Sequence, residues 1–218
     1  MAWFFGKKKE IDPEPTEQEA TEQVADPEPA GPATSGPWDE ADQPDKAGLL
    51  DAGSLLIPLI AGTTLQFSLD ARTKQPLGVV FLKNDSALQV QAFAAPRSAG
   101  IWDTVRVEMM TSIAKQGGSS TEQEGPFGTE LRAQMPVPNS NSFAPHRFIG
   151  VDGPRWLLRA TIYGRAGSDD QAAAEMIEIF RKIVVVRGQN PYPPRELLPL
   201  EIPQPSKAAA AGADSNQG

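Results

Sequence analysis

The chain contains no cysteine and a single histidine, His146. The first absence removes disulfides, thiolate nucleophiles and every metal site built on sulfur, and leaves nothing that calls for an oxidising compartment. The second removes transition-metal sites that need more than one imidazole. Long apolar runs are missing too: no stretch approaches the roughly 20 residues of a membrane-spanning helix. The opening MAWFFGKKKE places its lysines after a short aromatic run. A signal peptide places its charge before an apolar segment of about 7–15 residues. Phosphate loops are absent as well. GPFGTE (Gly125 to Glu130) and GVDGPR (Gly150 to Arg155) carry too few glycines and join strand to strand instead of opening a helix. No serine has the flanking glycines of a nucleophile elbow, and Ser98 sits in a Pro-Arg-Ser turn.

The remaining polar residues offer little chemistry. His146 lies beside Pro145 and reads as a loop histidine, because a general base needs a nucleophile or an orienting carboxylate nearby. Glu122 and Glu124 share a strand face, and Asp169 and Asp170 suit the negative start of a helix. No catalytic residue, metal or cofactor is therefore expected.

What the chain does have is proline, glycine and an uneven charge. Its 218 residues include 21 Pro and 19 Gly, which suggests one folded domain diluted by unstructured ends. Residues 1–46 hold 12 acids against 4 bases, whereas residues 47–218 hold 16 of each. The acidity belongs to the N-terminal arm, and the balanced remainder argues against specific nucleic-acid binding. The expected organisation is a disordered acidic arm over 1–46, an α+β domain over 47–188, a proline-rich ribbon packing on it over 189–205, and a disordered tail over 206–218. Trp3, Phe4 and Phe5, with Lys7 to Lys9, suit at most a weak, reversible contact with a membrane surface. The expected location is the cytoplasm. Within the arm, Gly36-Pro37-Trp38-Asp39 carries one large aromatic, either stray or docked on the domain.

Periodicity places the elements. Leu65, Phe67 and Leu69 alternate with Thr64, Gln66 and Ser68, the mark of a half-buried strand. Leu77 to Leu82 and Ala87 to Ala94 complete a three-strand meander across the turn residues Lys83 to Ser86. Trp102, Val105, Met109 and Ile113 recur at helical steps, which predicts a helix over 100–116 with Ser98 as a candidate cap. Strands follow at Ser119 to Glu124 and Thr129 to Met135, then a loop over 136–145. Arg147 to Gly164 forms a hairpin about Asp152-Gly153-Pro154. A second helix runs from Asp169 to about Val184, with Val184 to Val186 β-prone. The whole predicts a single α+β domain, mainly an antiparallel sheet of about 6–7 strands with two main helices packed on its apolar face.

Several strings resemble an actinobacterial protein family of unknown function. They are SALQVQAFAAPRS (Ser86–Ser98), GPFGTELRA (Gly125–Ala133), GVDGPRWLLR (Gly150–Arg159), VVVRG (Val184–Gly188) and Pro194-Arg195. The resemblance spans about residues 48–203 and implies lineage without an activity. The order of elements is also similar to that of PsbP-like domains, in which helices lie on both sides of the sheet. The alternation here suits that arrangement and equally suits one covered face with one polar face.

Function then rests on the polar sheet face. If the apolar sides of the strands lie together, Gln66, Gln89, Gln91, Glu130, Arg132, Arg155, Arg159 and Tyr163 share the opposite side. Arginine and glutamine offer directional hydrogen bonds to carboxylates, phosphates or peptide backbone. The candidate binding residues are Arg132, Arg155, Arg159, Tyr163, Gln89 and Gln91, and the expected role is a non-catalytic protein-binding or adaptor domain. Two alternatives stay open: a hydrolytic enzyme on an unfamiliar scaffold using His146 or paired carboxylates, and a weak nucleic-acid or anion binder regulated by the acidic arm.

Overall fold

A computed structural model describes residues 35–43 and 45–203. Trp3, Phe4 and Phe5, most of the acidic arm and the residue 206–218 tail lie outside these residues. Three short strands come first: β1 (Trp38–Asp39), β2 (Leu49–Asp51) and β3 (Leu55–Pro58). The predicted meander follows as β4 (Thr64–Leu69), β5 (Pro76–Lys83) and β6 (Ser86–Ala94). Asn84 and Asp85 join β5 to β6 with φ of 47° and 59°. That is the left-handed turn Asn and Asp tolerate best after glycine. Helix α1 (Trp102–Lys115) leads to β7 (Ser119–Gly125), β8 (Gly128–Pro136), β9 (Phe143–Gly153) and β10 (Trp156–Gly164). A single 3-10 turn precedes α2 (Asp170–Arg181), and β11 (Val184–Val185) follows.

Seven strands form one antiparallel sheet in the order β4-β5-β6-β10-β9-β8-β7. A second sheet of four short strands runs β1-β11-β3-β2, with β1 parallel to β11. Trp38 is thus docked, paired with Val184. The proline-rich ribbon hydrogen-bonds to the end of β6: Arg195 N–H donates to Ala94 O, Ala94 N–H to Glu196 O, and Leu198 N–H to Ala92 O.

The helices occupy opposite faces, which corrects the expectation that both cover one. Trp156, Leu158, Ala160 and Ile162 of β10 join Met176 and Phe180 of α2, and Leu55 and Ile57 of β3, in the main core. Leu157, one step along the same strand, packs instead with Trp102 and Ile113 of α1, Leu131 of β8 and Phe148 of β9. Alternate side chains of a strand point to opposite faces, so β10 serves both cores. Full burial of each large apolar side chain contributes about 1.5–3 kcal/mol.

Two local expectations also change. The turn residues are Pro154 and Arg155, since Asp152 pairs with Leu157 and Gly153 with Trp156. And Ser98 does not cap α1. Asp152 does so across the sequence, its carboxylate accepting from Ile101 N–H at 2.8 Å and Trp102 N–H at 3.0 Å. At α2 the local signal holds: Asp169 accepts from Gln171 N–H and Ala172 N–H.

Candidate binding face

Helix α1 packs on β7, β8 and β9, with Phe93 at the end of β6 against the same cluster, and leaves β4, β5 and the rest of β6 largely uncovered on its face of the sheet. The contrast along β5 and β6 makes this plain. Val79, Phe81, Leu88 and Val90 point to the α2 side and are buried, whereas Val80, Leu82, Gln89 and Gln91 are only half-buried. Gln66 and Thr64 of β4 are exposed beside them. The open half-face is thus a mixed surface of glutamines, a serine and aliphatic groups.

Arg159 stands where this open half meets α1. One Nη donates to Gln91 Oε1 at 2.5 Å, and the other lies 3.9 Å from Met109 Sδ. The guanidinium carbon sits 4.9 Å above the Phe93 ring. Its Nε is buried without a partner among the described residues. Burial pushes its pKa below the ordinary arginine value, and no carboxylate acts against that. Neighbouring groups are tied down: Gln91 donates to Leu77 O, Gln89 to Ser68 Oγ, and Ser68 to Gly78 O.

The structure gathers some of the residues expected to share this face and separates others. Gln66, Gln89, Gln91, Arg159 and Tyr163 are together, as strand register requires. Arg132 and Glu130 are on the α2 side, because in β8 it is Leu131 and Ala133 that point toward α1. There Glu130, 1% exposed, lies between two arginines. Arg132 Nε donates to it at 2.6 Å, while one Arg147 Nη lies 2.9 and 3.1 Å from its two oxygens. Asp170 bridges the same two arginines from the start of α2. Arg155 is in the hairpin turn, its Nη donating to Gly188 O.

His146 is in strand β9 and not in a loop. Its ring stacks near those of Phe148 and Tyr163, and Nδ1 lies 3.0 Å from Ala144 O. It borders a depression of about 280 Å³ with Ser119, Ser120, Thr121 and Ser168. Among the described residues no hydroxyl or carboxylate hydrogen-bonds to the ring, so it lacks the pairing of a base with a nucleophile. Among the described residues, no three carboxylate or imidazole groups converge on a point, and no helix is long and apolar enough to cross a membrane.

The sequence profile of a family described as "Protein of unknown function (DUF3710)" matches residues 36–209, well over half of the chain. The chain belongs to the DUF3710 family. No curated protein matches it. Among solved structures, the solution structure of cyanobacterial PsbP (CyanoP) from Synechocystis sp. PCC 6803 shows a weak likeness. It has 13% identity and a TM-score of 0.41, over 61% of this chain and 87% of that one.

Within this DUF3710 domain, sequence reasoning missed three features: the Asp152 cap, the buried Glu130–Arg147 pair, and the hydrogen bonds that Arg187 donates to the Arg155 and Asn190 carbonyls. Arg147 carried a signal, since it is in phase with Ile149 and Val151 on an otherwise apolar strand face. Asp152 and Arg187 carried none, because their partners are distant or are backbone carbonyls.

Proposed function

We propose that the domain is a cytoplasmic, non-catalytic protein-binding module. In this reading an acidic segment of a partner lies on the open half of the sheet, anchored by Arg159. The observation that carries it is the unpaired charge. A guanidinium stays protonated under any physiological condition. The fold therefore keeps a partly desolvated cation without a carboxylate among the described residues. Such a placement costs stability unless a counter-charge arrives. Costs of this kind persist where the residue has another use. Met109, which borders the guanidinium, is unbranched and can shift to admit a carboxylate. Gln66 and Gln89 supply amide donors and acceptors alongside, and Val80 and Leu82 supply apolar contact.

The test uses the full chain with a photo-reactive amino acid at Gln66 and, in parallel, the same chain carrying Arg159→Met. Irradiation in cells is expected to give a discrete protein adduct, cross-linked through an Asp- or Glu-rich segment and absent from the Arg159→Met chain. Adducts that persist in Arg159→Met would sink the reading. Methionine keeps the aliphatic stem without the buried charge, so urea unfolding of Arg159→Met is expected to show stability equal to or above that of the parent.

A further inference from the structure

Two further arginines with no ion-pairing carboxylate among the described residues, Arg155 and Arg187, meet at the end of the β9–β10 hairpin. Arg155 takes the second position of the Pro154-Arg155 turn with φ of 65°. Proline followed by a left-handed residue is the pattern of a type II turn, and glycine or asparagine is the residue that position favours. An L side chain there is strained by about 1 kcal/mol or more. The backbone role of the position needs no side chain. Arg155 O accepts from Ala95 N–H at 2.8 Å and from Arg187 Nε at 3.0 Å.

The side chains nevertheless form an ordered arrangement. Arg155 Nη donates to Gly188 O at 2.8 Å, and Arg187 Nη1 donates to Asn190 O at 2.9 Å. Arg187 also lies over the Tyr192 ring, 5.1 Å from its centre. Both guanidiniums are thus held by backbone carbonyls, and neither is within ion-pairing distance of a carboxylate among the described residues. Burial, and then the charge of Arg155, push the pKa of Arg187 down, so the two like charges feel each other. Six other arginines are ion-paired, Arg106 with Glu122, Arg132 and Arg147 with Glu130, Arg165 with Asp169, Arg181 with Glu178 and Arg195 with Glu108, whereas Arg72, Arg97 and Arg159 share with Arg155 and Arg187 the lack of a carboxylate at that distance among the described residues.

Arg187 Nε on the Arg155 carbonyl, and Arg155 Nη on the carbonyl of Gly188 next to Arg187, bring two like charges together with no carboxylate at ion-pairing distance among the described residues and with N–H donors left over, an arrangement that suits an anion. We propose that Arg155 and Arg187 form a binding site for an oxyanion, a carboxylate or a phosphate group, distinct from the Arg159 face. Arg155 Nε and Nη1 and Arg187 Nη2 are the donors that remain for it.

The test follows the arginine Nε–H signals and the Gly188 amide of the full chain by NMR. Inorganic phosphate is titrated in one series and succinate in the other, so that the tighter ligand identifies which oxyanion the site takes. The wild type is expected to show saturable shifts confined to Arg155, Arg187 and Gly188. Arg155→Gly keeps the carbonyl at residue 155 and relieves the left-handed strain. It is expected to weaken binding roughly tenfold or more, with a thermal midpoint no lower than that of the wild type. Arg187→Met is expected to weaken binding similarly. Absence of a saturable shift with either anion overturns the proposal, as does an unchanged affinity in Arg155→Gly. A lowered midpoint for Arg155→Gly overturns it as well, because the side chain would then be present for the fold.

Discussion

At the scale of single residues, Asp152 shows how one carboxylate fixes where an element begins. It satisfies two of the N–H groups that the start of α1 leaves unpaired, and it sits at the positive end of the helix dipole. Gly100 leaves room for it, since a Cβ at that position would fall on the carboxylate. The two backbone bonds favour the charged form, but burial outweighs them and raises the pKa of Asp152. A carboxyl whose folded pKa is raised binds its proton more firmly in the folded chain than in the unfolded one. Its stabilising contribution is complete below the ordinary carboxylate range and is lost as pH rises through the folded value. Asp152→Asn cannot titrate. Urea midpoints of the wild type, measured relative to Asp152→Asn, are therefore expected to fall as pH is raised from the acid side of that range to neutrality. A relative midpoint that rises instead would mean that the helix bonds dominate and the pKa is held down. None of this was legible locally, because the cap lies 50 residues from the helix it serves.

At the scale of elements, the strands were readable and their orientation was not. Alternation tells which residues of one strand share a side. It does not tell which side of the sheet that is once both are partly covered. In β10 the set beginning at Trp156 meets α2, while in β8 the set beginning at Leu131 meets α1. Aligning all apolar sets on one side therefore put Arg132 with Arg159, when a sheet's thickness separates them. The meander and the helix boundaries within a turn were legible, because turn residues and period fix them without reference to a partner, whereas the β9–β10 hairpin was legible as a hairpin but not in its register, its turn being Pro154-Arg155. The same strand β8 carries a testable consequence. Glu130 compensates Arg147, which is itself only 4% exposed. Glu130→Leu leaves that guanidinium buried with only the exposed Asp170 to meet it. Breaking one side of a buried pair costs about 3–5 kcal/mol. Adding Arg147→Met to Glu130→Leu is expected to recover most of that loss in urea unfolding. Additive losses in the double variant would show that the pair is not coupled.

At the scale of the whole molecule, the question is what joins the small sheet to the large one. The main core draws on both, with Leu55 and Ile57 of β3 packed among Val79, Phe81, Trp156 and Phe180. A polar bond adds direction to that contact. Trp156, 2% exposed, donates its indole N–H to Asp39 Oδ2 at 2.6 Å. Asp39 belongs to β1, which extends the small sheet beyond β11. Residues of the acidic arm thereby become part of the fold, a role that composition could not reveal because Trp38 and Asp39 stand alone among prolines and acids. Asp39→Ala leaves a buried indole N–H without an acceptor, which costs about 1–3 kcal/mol. Asp39→Asn retains a carbonyl oxygen in the same place and is expected to restore most of that loss. Because the two sheets share one core, the wild type and both variants are expected to unfold in a single urea transition with the same slope and shifted midpoints. Tryptophan fluorescence and far-ultraviolet circular dichroism should then coincide. If Asp39→Ala instead splits the transition, with a fluorescence change ahead of the loss of secondary structure, the small sheet is a separately melting unit and Asp39 is the clasp that holds it to the large one.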